Sequence, residues 1–381
     1  PYLHSQIEEY GLQGVLERDM DIIPIVMEME EMGILLDVPV LESLQTDLNE
    51  LVDGAQIDIN YLAGHYVNPN SSQQVVALLQ DEGIYTDLET STDASVLDQY
   101  REHIIVNKIQ DYRGYAKLKS TYVEPWLGQE RAYTHFRMDL STARLASFDR
   151  NLQNIPKPMR EIFAPDYGIW TSADWSQIEL RVWAYVTGDP TMLRAYREGK
   201  DIHTITQMAL WPNSKPSDPI ARRYAKNFNF AMIYLATPDT LARSTGLPVR
   251  VCQAYREHWL ALYPVGYQWM LRQSVEGPEQ GYVETLMGRV LALPLLAEST
   301  PAHRSKCAIN YPIQGTAAEI VKRGMLIVGG MEIEQAVQVH DELLCDGDYD
   351  MPVEKLAHIH GGIYTPVEVT KGPDWARLIT V

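Results

Sequence analysis

The chain has 381 residues, 45% hydrophobic and 22% charged, with three widely spaced cysteines; this predicts two or three globular domains and excludes a disordered, collagen-like, coiled-coil or disulfide-rich protein. No stretch reaches the ~18 consecutive apolar residues of a membrane span, so we expect a soluble, cytoplasmic protein with no membrane partner, cut from a longer chain because it starts at Pro1. The net charge of −19 is concentrated in residues 1–100, which hold 20 acidic residues and one basic residue. Residues 101–160 instead carry 11 basic and 6 acidic residues, which is a weak indication of nucleic-acid binding.

The first third of the chain is predicted to be a helical unit. Apolar residues recur every three or four positions over residues 21–58, which predicts two amphipathic helices with a break at residues 33–39. Polar breaks at residues 68–72 and 90–93 precede two further predicted helices, over residues 73–80 and 96–118.

After Pro125 the pattern changes to strands interrupted by helices. Residues 189–275 are predicted to be mostly helical, and the strands around them are expected to share one sheet. The segments with β character are residues 132–138, 169–173, 282–286, 290–293 and 336–344. This arrangement predicts an α+β fold.

The first candidate functional segment begins with Asp174, directly after the apolar run of residues 169–173. An aspartate between a strand and a helix can hold a hard cation through its oxygens. Ser176 and Glu179 have the spacing of a capping box, in which each side chain bonds an orphan backbone N–H, so a purely structural role for that pair is equally open. That role does not explain Asp174.

A second segment has three polar residues, His340, Asp341 and Glu342, inside an alternating apolar pattern. Taken alone, a solvated hairpin turn is the favoured interpretation. Paired with Asp174, however, Asp341 would complete two carboxylates from neighbouring strands. Such a pair can bind two divalent ions about 3.5–4 Å apart, as in two-metal enzymes.

A third segment places Arg222, Lys226, Phe230 and Tyr234 at intervals of four, so on a helix they form one stripe about 18 Å long. Like charges at this spacing slightly destabilise an isolated helix. The two cations therefore make better sense facing a polyanion such as a triphosphate, with the two rings against a flat base. For the helix by itself, a solvated basic end with an aromatic core face is slightly favoured.

Two weaker signals follow. His203, in the segment of residues 201–203, could place an imidazole near the same phosphates, although a lone histidine is more often a satisfied surface or core residue. Asn310 and Gln314 open a helix with amides that both donate and accept hydrogen bonds, which suits the edges of a minor groove. A plain helix start explains that spacing equally well.

Together these segments closely resemble, in order, the polymerase region of the DNA polymerase I family (family A). The matching motifs also include residues 142–147, 151–156 and 282–286, and residues 115–122 resemble the passage from the thumb to the palm. The resemblance covers nearly the whole chain from about Asp21.

The resemblance implies an α+β right-hand polymerase with an antiparallel palm sheet, helical fingers and a helical thumb. The implied boundaries are a remnant of an upstream exonuclease-like domain at 1–20, a thumb at 21–130, a palm at 131–188 and 300–381, and fingers at 189–299. Residues 1–20 lack the carboxylate motifs of a proofreading domain, so no proofreading is expected in this chain.

The implied reaction is template-directed addition of a dNTP to a primer 3′-hydroxyl with release of pyrophosphate, by a monomer that binds primer-template DNA. The implied cofactor is Mg²⁺, as two ions for which Mn²⁺ can substitute, bound by Asp174, Asp341 and the carbonyl of Trp175. Lys226 is implied as the proton donor to pyrophosphate, and Glu179 as the residue that clashes with a 2′-hydroxyl. The implied dNTP-binding residues are Gln177, Glu179, His203, Arg222, Lys226, Phe230 and Tyr234. The implied DNA-binding residues are Arg144, Asn154, Asn310, Gln314 and His340.

The sequence departs from the family pattern at several positions. Ala143, Ala231 and Leu235 stand where the family commonly has glycine, Lys306 stands at a usual arginine, and Phe230 in place of tyrosine implies discrimination against dideoxynucleotides. The short thumb and C-terminal segment imply low processivity. The alternatives left open are a single-subunit RNA polymerase-like enzyme, a metal-dependent nuclease and a non-catalytic nucleic-acid-binding relative.

Overall fold

A computed structural model describes residues 7–84, 91–358 and 362–381 of the chain. The first third is helical, as its periodicity predicted, with one short strand inside the expected break at residues 33–39. In chain order the elements are α1 Gln13–Met32, β1 Ile34–Leu36, α2 Val38–Ala63, α3 Ser72–Asp81, α4 Ala94–Leu97 and α5 Ile104–Tyr122. Residues 1–6, which begin the expected 1–20 segment, and Thr90, at the expected second break, lie outside the described residues.

The long helix α2 shows why these elements form where they do. The Asp37 side chain caps its start by accepting a 3.1 Å hydrogen bond from the Val40 N–H, and Gly64 ends it in the left-handed conformation. One face of α2 is buried, and it packs against α5. The buried residues on that face are Leu41, Leu48, Ala55 and Ile59.

The single helix expected over residues 96–118 is wrong. A 3-10 turn, Asp98–Tyr100, separates α4 from α5. The Asp98 carboxylate accepts a 2.9 Å hydrogen bond from Nε of Arg101, and short polar side chains that bond locally compete with helix formation. Apolar periodicity does not detect such a turn, because the residues on both sides keep a helical pattern.

The remaining elements alternate between strands and helices, and residues 189–275 are helical as predicted. The first strands are β2 Arg131–Ala132, β3 His135–Arg137, β4 Ala146–Phe148, β5 Phe163–Ala164 and β6 Trp170–Trp175. The helices that follow are α6 Ile178–Thr187, α7 Pro190–Arg197, α8 Ile202–Leu210, α9 Pro219–Met232, α10 Pro238–Thr245, α11 Val249–Leu262 and α12 Pro264–Gln280. The chain then continues through β7 Tyr282–Glu284, β8 Val290–Ala292, α13 Pro301–Gly329, β9 Gln335–Val339, β10 Glu342–Asp346, α14 Val353–Ala357, β11 Val367–Gly372 and β12 Ile379–Thr380.

The strands do not share one sheet, which corrects the expectation from sequence. In the described part of the chain they form a central five-stranded sheet in the order β12-β11-β6-β10-β9, a three-stranded sheet in the order β2-β1-β5, and the separate pairs β3-β4 and β7-β8. Every neighbouring pair in the central sheet is antiparallel. Alternation of apolar residues identifies a strand and its buried face, but it does not identify the strand's partner.

Close helix packing fixes the end of strand β6. A Cβ atom on Gly324 of α13 would lie 2.4 Å from the ring of Trp175, the last residue of β6. Trp175 is fully buried, and its Nε1 donates a 3.1 Å hydrogen bond to the Leu356 carbonyl oxygen. Its position is therefore held from both α13 and α14. No helix in residues 7–84, 91–358 and 362–381 is both long and apolar enough to cross a membrane.

Candidate active site

Asp174 and Asp341 lie at the same end of two neighbouring strands. Asp174 is the next-to-last residue of β6, and Asp341 is in the two-residue hairpin turn between β9 and β10. The Trp175 N–H donates a 2.9 Å hydrogen bond to the Asp341 carbonyl oxygen, and Glu342 pairs with Asp174 in the strand register. The segment of residues 340–342 thus forms a hairpin turn and also places Asp341 beside Asp174. The two interpretations of its sequence, a turn and a carboxylate partner, are therefore compatible.

Burial and neighbouring negative charge disfavour ionisation at this end of the sheet. Burial is the largest cause that raises the pKa of Asp174, to about 7, and the charges of Asp341, Glu342 and Glu368 add to it. Burial also raises the pKa of Asp341. The charge of Lys226 acts in the opposite direction on Asp174. A divalent cation held between the two carboxylates would relieve the same repulsion.

The carboxylate of Glu342 is engaged inside the protein. It accepts hydrogen bonds of 2.9 Å from Arg160 Nη1, 2.9 Å from Ser172 Oγ and 3.0 Å from Trp375 Nε1. In contrast, no described cation forms an ion pair with Asp174 or Asp341. The described residues contain no group of three or more His, Cys, Asp or Glu side chains arranged for a metal, so the donor set here is two carboxylates with the Trp175 carbonyl nearby.

The capping box predicted for Ser176 and Glu179 does not form. Helix α6 begins at Ile178, and its N-cap is Gln177 in the left-handed conformation, at φ 55°, with no side-chain cap bond. Glu179 instead accepts hydrogen bonds from Arg144 and from the Tyr234 hydroxyl. Because the turn at Gln177 shifts the helix start, the backbone groups that a capping box would join are not in place.

Gln177 faces a tyrosine. Its Oε1 accepts a 3.2 Å hydrogen bond from the hydroxyl of Tyr196 in α7.

Helix α9 carries the predicted cations toward the carboxylates. Asp218 caps its start, with hydrogen bonds of 2.9 and 3.2 Å from two backbone N–H groups. Lys226 lies near enough to Asp174 for its charge to lower that carboxyl's pKa, and its Nζ is 6.0 Å from the ring centre of Phe230. Arg222 Nε donates a 2.9 Å hydrogen bond to Asp201. The helix ends at Met232, so Tyr234 lies just beyond it.

His203 is a buried side chain of the helical region. Its side chain is almost fully enclosed, and Nδ1 lies 3.0 Å from Nδ2 of Asn229. Burial lowers the pKa of His203 to about 4, which leaves it neutral near pH 7. This environment matches the core alternative that the sequence left open, and a phosphate-binding role stays a prediction. Asn229, which sequence reasoning missed, also accepts a 2.8 Å hydrogen bond from Trp259 Nε1.

The predicted DNA-binding residues divide into two groups. A cavity of about 330 Å³ is bordered by Arg144 and His340, together with Glu179, Phe230 and Asp341. Gln314 forms a side-chain hydrogen bond with Tyr234, and Tyr234 lies next to Glu179. Asn154 does not line that cavity and is exposed, whereas the Oδ1 of Asn310 is buried without a hydrogen-bond partner among the described residues.

Gln153, next to Asn154, is a positioning residue that the sequence did not single out. It is buried, and its Nε2 donates to the backbone and side-chain oxygens of Gln338, at 3.0 and 3.1 Å. Gln338 in turn donates to the carbonyl of His340. This chain of bonds holds the hairpin turn that carries Asp341. The only signal for it in the sequence was its position inside a recognised motif.

Comparison with known proteins decides the family. The model of DNA polymerase family A matches residues 38–361. The chain belongs to DNA polymerase family A. It is 35% identical to the thermostable DNA polymerase I of Thermus aquaticus, over 97% of this chain and 49% of that protein, and 33% identical to DNA polymerase I of Streptococcus pneumoniae, over 91% and 43%. The chain therefore spans about half the length of the curated relatives it matches.

A solved structure shows the same fold. The POL domain of Pol1 from M. smegmatis, in complex with DNA primer-template and dNTP, has a TM-score of 0.87 with 24% identity, covering 98% of this chain and 73% of that one. The α+β right-hand fold predicted from sequence, with an antiparallel sheet and flanking helical regions, is confirmed for this family A chain.

Proposed function

We propose that this family A chain is a template-directed DNA polymerase that adds dNTPs to a primer 3′-hydroxyl and releases pyrophosphate. The observation that carries the proposal is the meeting of Asp174 and Asp341 at one end of the central sheet, with Lys226 of α9 close enough to act on Asp174. The chain's matches to DNA polymerase I proteins support the same reaction.

The donor set fits divalent metal ions. Burial raises the pKa of both carboxyls, and the charge of Asp341 raises that of Asp174 further, so the pair forms a site of unbalanced negative charge. Oxygen donors are the ligands that Mg²⁺ prefers. We propose that Asp174, Asp341 and the Trp175 carbonyl hold two Mg²⁺ ions, for which Mn²⁺ can substitute. When bound, the ions would supply Lewis-acid activation of the primer hydroxyl and neutralise phosphate charge.

The cations of α9 are proposed to bind the triphosphate. Arg222 is half-exposed, and Asp201 holds it through Nε, so its remaining guanidinium N–H groups are available to phosphate oxygens. Lys226 is proposed to donate the proton that the departing pyrophosphate requires. His203, neutral and buried behind Phe230, is proposed to contact phosphate only through its second ring nitrogen.

The cluster of Glu179, Tyr234 and Arg144 is proposed to set sugar and base selection. Glu179 is fixed by two donors, so a 2′-hydroxyl that approached it would meet a carboxylate that is unable to move away. Phe230 is proposed to pack against the incoming base, and Gln177 to contact the nucleotide from the start of α6. These roles favour deoxynucleotides over the substrates of an RNA polymerase-like enzyme.

Primer-template DNA is the proposed partner of a monomeric enzyme. Arg144, Gln314 and His340 lie around the cavity or next to Glu179 and are proposed to contact the primer terminus, with Asn310 and Asn154 farther along the duplex. The proposed regions are a segment at 1–20 that belongs to an exonuclease-like neighbour, a thumb at 21–130, a palm at 131–188 and 300–381, and fingers at 189–299. We propose that proofreading is absent from these residues.

Primer extension tests the proposal. With a DNA primer-template, dNTPs and Mg²⁺, the chain should extend the primer, and excess EDTA should stop it. Asp174→Asn should lower the rate at least about a thousandfold, as expected for a residue on which the chemistry depends, while primer-template affinity changes little. Asp350→Asn, which neutralises an exposed carboxylate, is the matched control and should extend normally. Binding without extension by the unmodified chain would instead support a non-catalytic relative, and degradation of the DNA would support a nuclease.

A further inference from the structure

A second cavity, of about 310 Å³, lies between α6, α7 and the segment of residues 362–364. It shares no lining residue with the cavity beside Asp341. Two of its residues nevertheless bond to the turn that follows Asp174. Arg181 Nε donates a 3.1 Å hydrogen bond to the Ser176 carbonyl oxygen, and the Tyr196 hydroxyl bonds to Gln177.

The walls of this cavity carry positive charge. Arg181 and Arg197 line it, and the described residues of its lining include no Asp or Glu. Glu198, the neighbour of Arg197 in sequence, is paired with Lys200 at 2.6 Å. In the part of the chain that the structure describes, no carboxylate forms an ion pair with Arg197. An anion entering the cavity would therefore meet two guanidinium groups and no like charge.

The same cavity offers flat apolar surface. The rings of Tyr185, Tyr196 and Tyr364 line it, beside the side chain of Leu193. The Arg181 guanidinium stacks on the Tyr196 ring, 4.2 Å from its centre. A Cβ on Gly362 would lie 2.1 Å from the Tyr185 hydroxyl oxygen, so the wall is closely packed there. Aromatic faces beside guanidinium groups are the surface on which nucleobases stack.

We propose that this cavity binds one free mononucleotide, with its base against the tyrosine rings and its phosphate against Arg197 and Arg181. The volume is at the lower end of the range for small-ligand sites, which suits one nucleotide and excludes a duplex. Because Arg181 and Tyr196 also hold Ser176 and Gln177, a bound nucleotide would alter the turn beside Asp174. The inference goes beyond polymerisation, since it assigns a second, non-catalytic nucleotide site.

Calorimetric titration of the full chain with AMP tests the site directly. One molecule of AMP should bind with a Kd between about 10 µM and 1 mM. Ribose 5-phosphate, which lacks the base, and adenosine, which lacks the phosphate, should each bind at least tenfold more weakly. A short single-stranded DNA should not compete with AMP; competition would show that the cavity takes a strand end and would overturn the assignment to a free nucleotide.

Variants distinguish this cavity from the catalytic one. Leu193→Trp should fill the cavity and Arg197→Glu should reverse its charge, and each should weaken AMP binding at least tenfold. Arg194→Glu makes the same charge change on the same helix outside the cavity lining and should bind AMP normally. Arg197→Glu concerns an exposed side chain, so it remains informative if Leu193→Trp fails to fold. The proposal is overturned if AMP does not bind, or if binding survives Arg197→Glu and is lost in Lys226→Ala.

Discussion

The Tyr234 hydroxyl, two residues beyond the end of α9, donates a hydrogen bond to the Glu179 carboxylate in the first turn of α6. Arg144 donates to the same carboxylate. Burial raises the pKa of Tyr234 to about 12, so the hydroxyl keeps its proton and remains a donor at neutral pH. One carboxylate thus joins the end of the helix that carries Arg222 and Lys226 to the helix that follows Asp174.

Removing this carboxylate should relax sugar selection. Glu179→Ala is expected to raise the ratio of ribonucleotide to deoxynucleotide incorporation at least about tenfold, equivalent to about 1.4 kcal/mol of lost discrimination, because nothing then opposes a 2′-hydroxyl. Tyr234→Phe should raise the KM for dNTP while changing the ratio less. Competitive primer extension with rNTP and dNTP measures both effects. Tyr224→Phe, in α9 beside Trp211, is the control, and an equal loss of discrimination in that variant would remove Glu179 from sugar selection.

Lys226 should act on the rate of chemistry more than on binding. Lys226→Ala is expected to lower kcat about 10²- to 10⁴-fold, the range for loss of a general acid, with a smaller change in KM for dNTP. Single-turnover extension separates the two quantities. Arg223→Ala removes an equal charge from α9 at a side chain that lies over the Tyr224 ring, and it should change kcat no more than about threefold. Similar losses of kcat in both variants would mean that the rate depends only on the net charge of α9.

The sequence was sufficient to predict the fold class and the proximity of Asp174 and Asp341. Local patterns predicted strands on both sides of the helical region. They also predicted one aspartate, Asp174, at a strand end and another, Asp341, at a hairpin, and the structure reproduces both features. The family resemblance is confirmed by the match to the family A model. These predictions succeeded because strand character and strand-end polarity are properties of a few adjacent residues.

Side-chain partners could not be obtained in this way. Glu179 has the spacing of a capping box, but Gln177 adopts the left-handed conformation and the helix begins only at Ile178. The Glu179 carboxylate therefore accepts hydrogen bonds from residues that are distant in the sequence. Gln153 likewise bonds to Gln338, which is distant from it in the sequence. Ala143 and Leu235, noted as substitutes for glycine, do adopt positive φ values of 57° and 53°, so the backbone kept a conformation that these side chains disfavour.

Gly324 should be required for the packing behind the end of β6. A Cβ there would lie 2.4 Å from the Trp175 ring, and Trp175 is enclosed on its other side, so Gly324→Ala is expected to lower the free energy of unfolding by about 1–3 kcal/mol. Gly114→Ala, on α5 with open space around its Cβ, should instead be neutral or stabilise by up to about 1 kcal/mol. Urea denaturation compares the two. Equal stability of both variants would contradict the close packing.

A network of charges joins α1, the β7–β8 hairpin and α13. Arg289 donates two 2.7 Å hydrogen bonds to the Asp19 carboxylate, and Lys322 Nζ lies 3.4 Å from it. Burial by itself raises the pKa of Asp19, but the bonds and charges of Arg289 and Lys322 outweigh it, so the pKa is lowered overall. Asp19 therefore stabilises the fold when ionised, and that stabilisation is lost as the pH falls through the lowered pKa.

Asp19→Asn is expected to lower the free energy of unfolding by about 1–3 kcal/mol at pH 7, the range for a hydrogen-bonded charge, because Lys322 stays buried with less compensating charge. The difference from the unmodified chain should be constant above the ordinary Asp pKa of 3.8 and shrink below it, since the unfolded chain binds its proton first. Urea denaturation across that range measures it. Asp21→Asn, an exposed acid on the same helix, should change stability little at any pH. If the loss from Asp19→Asn grew on acidification, the sign of this linkage would be wrong.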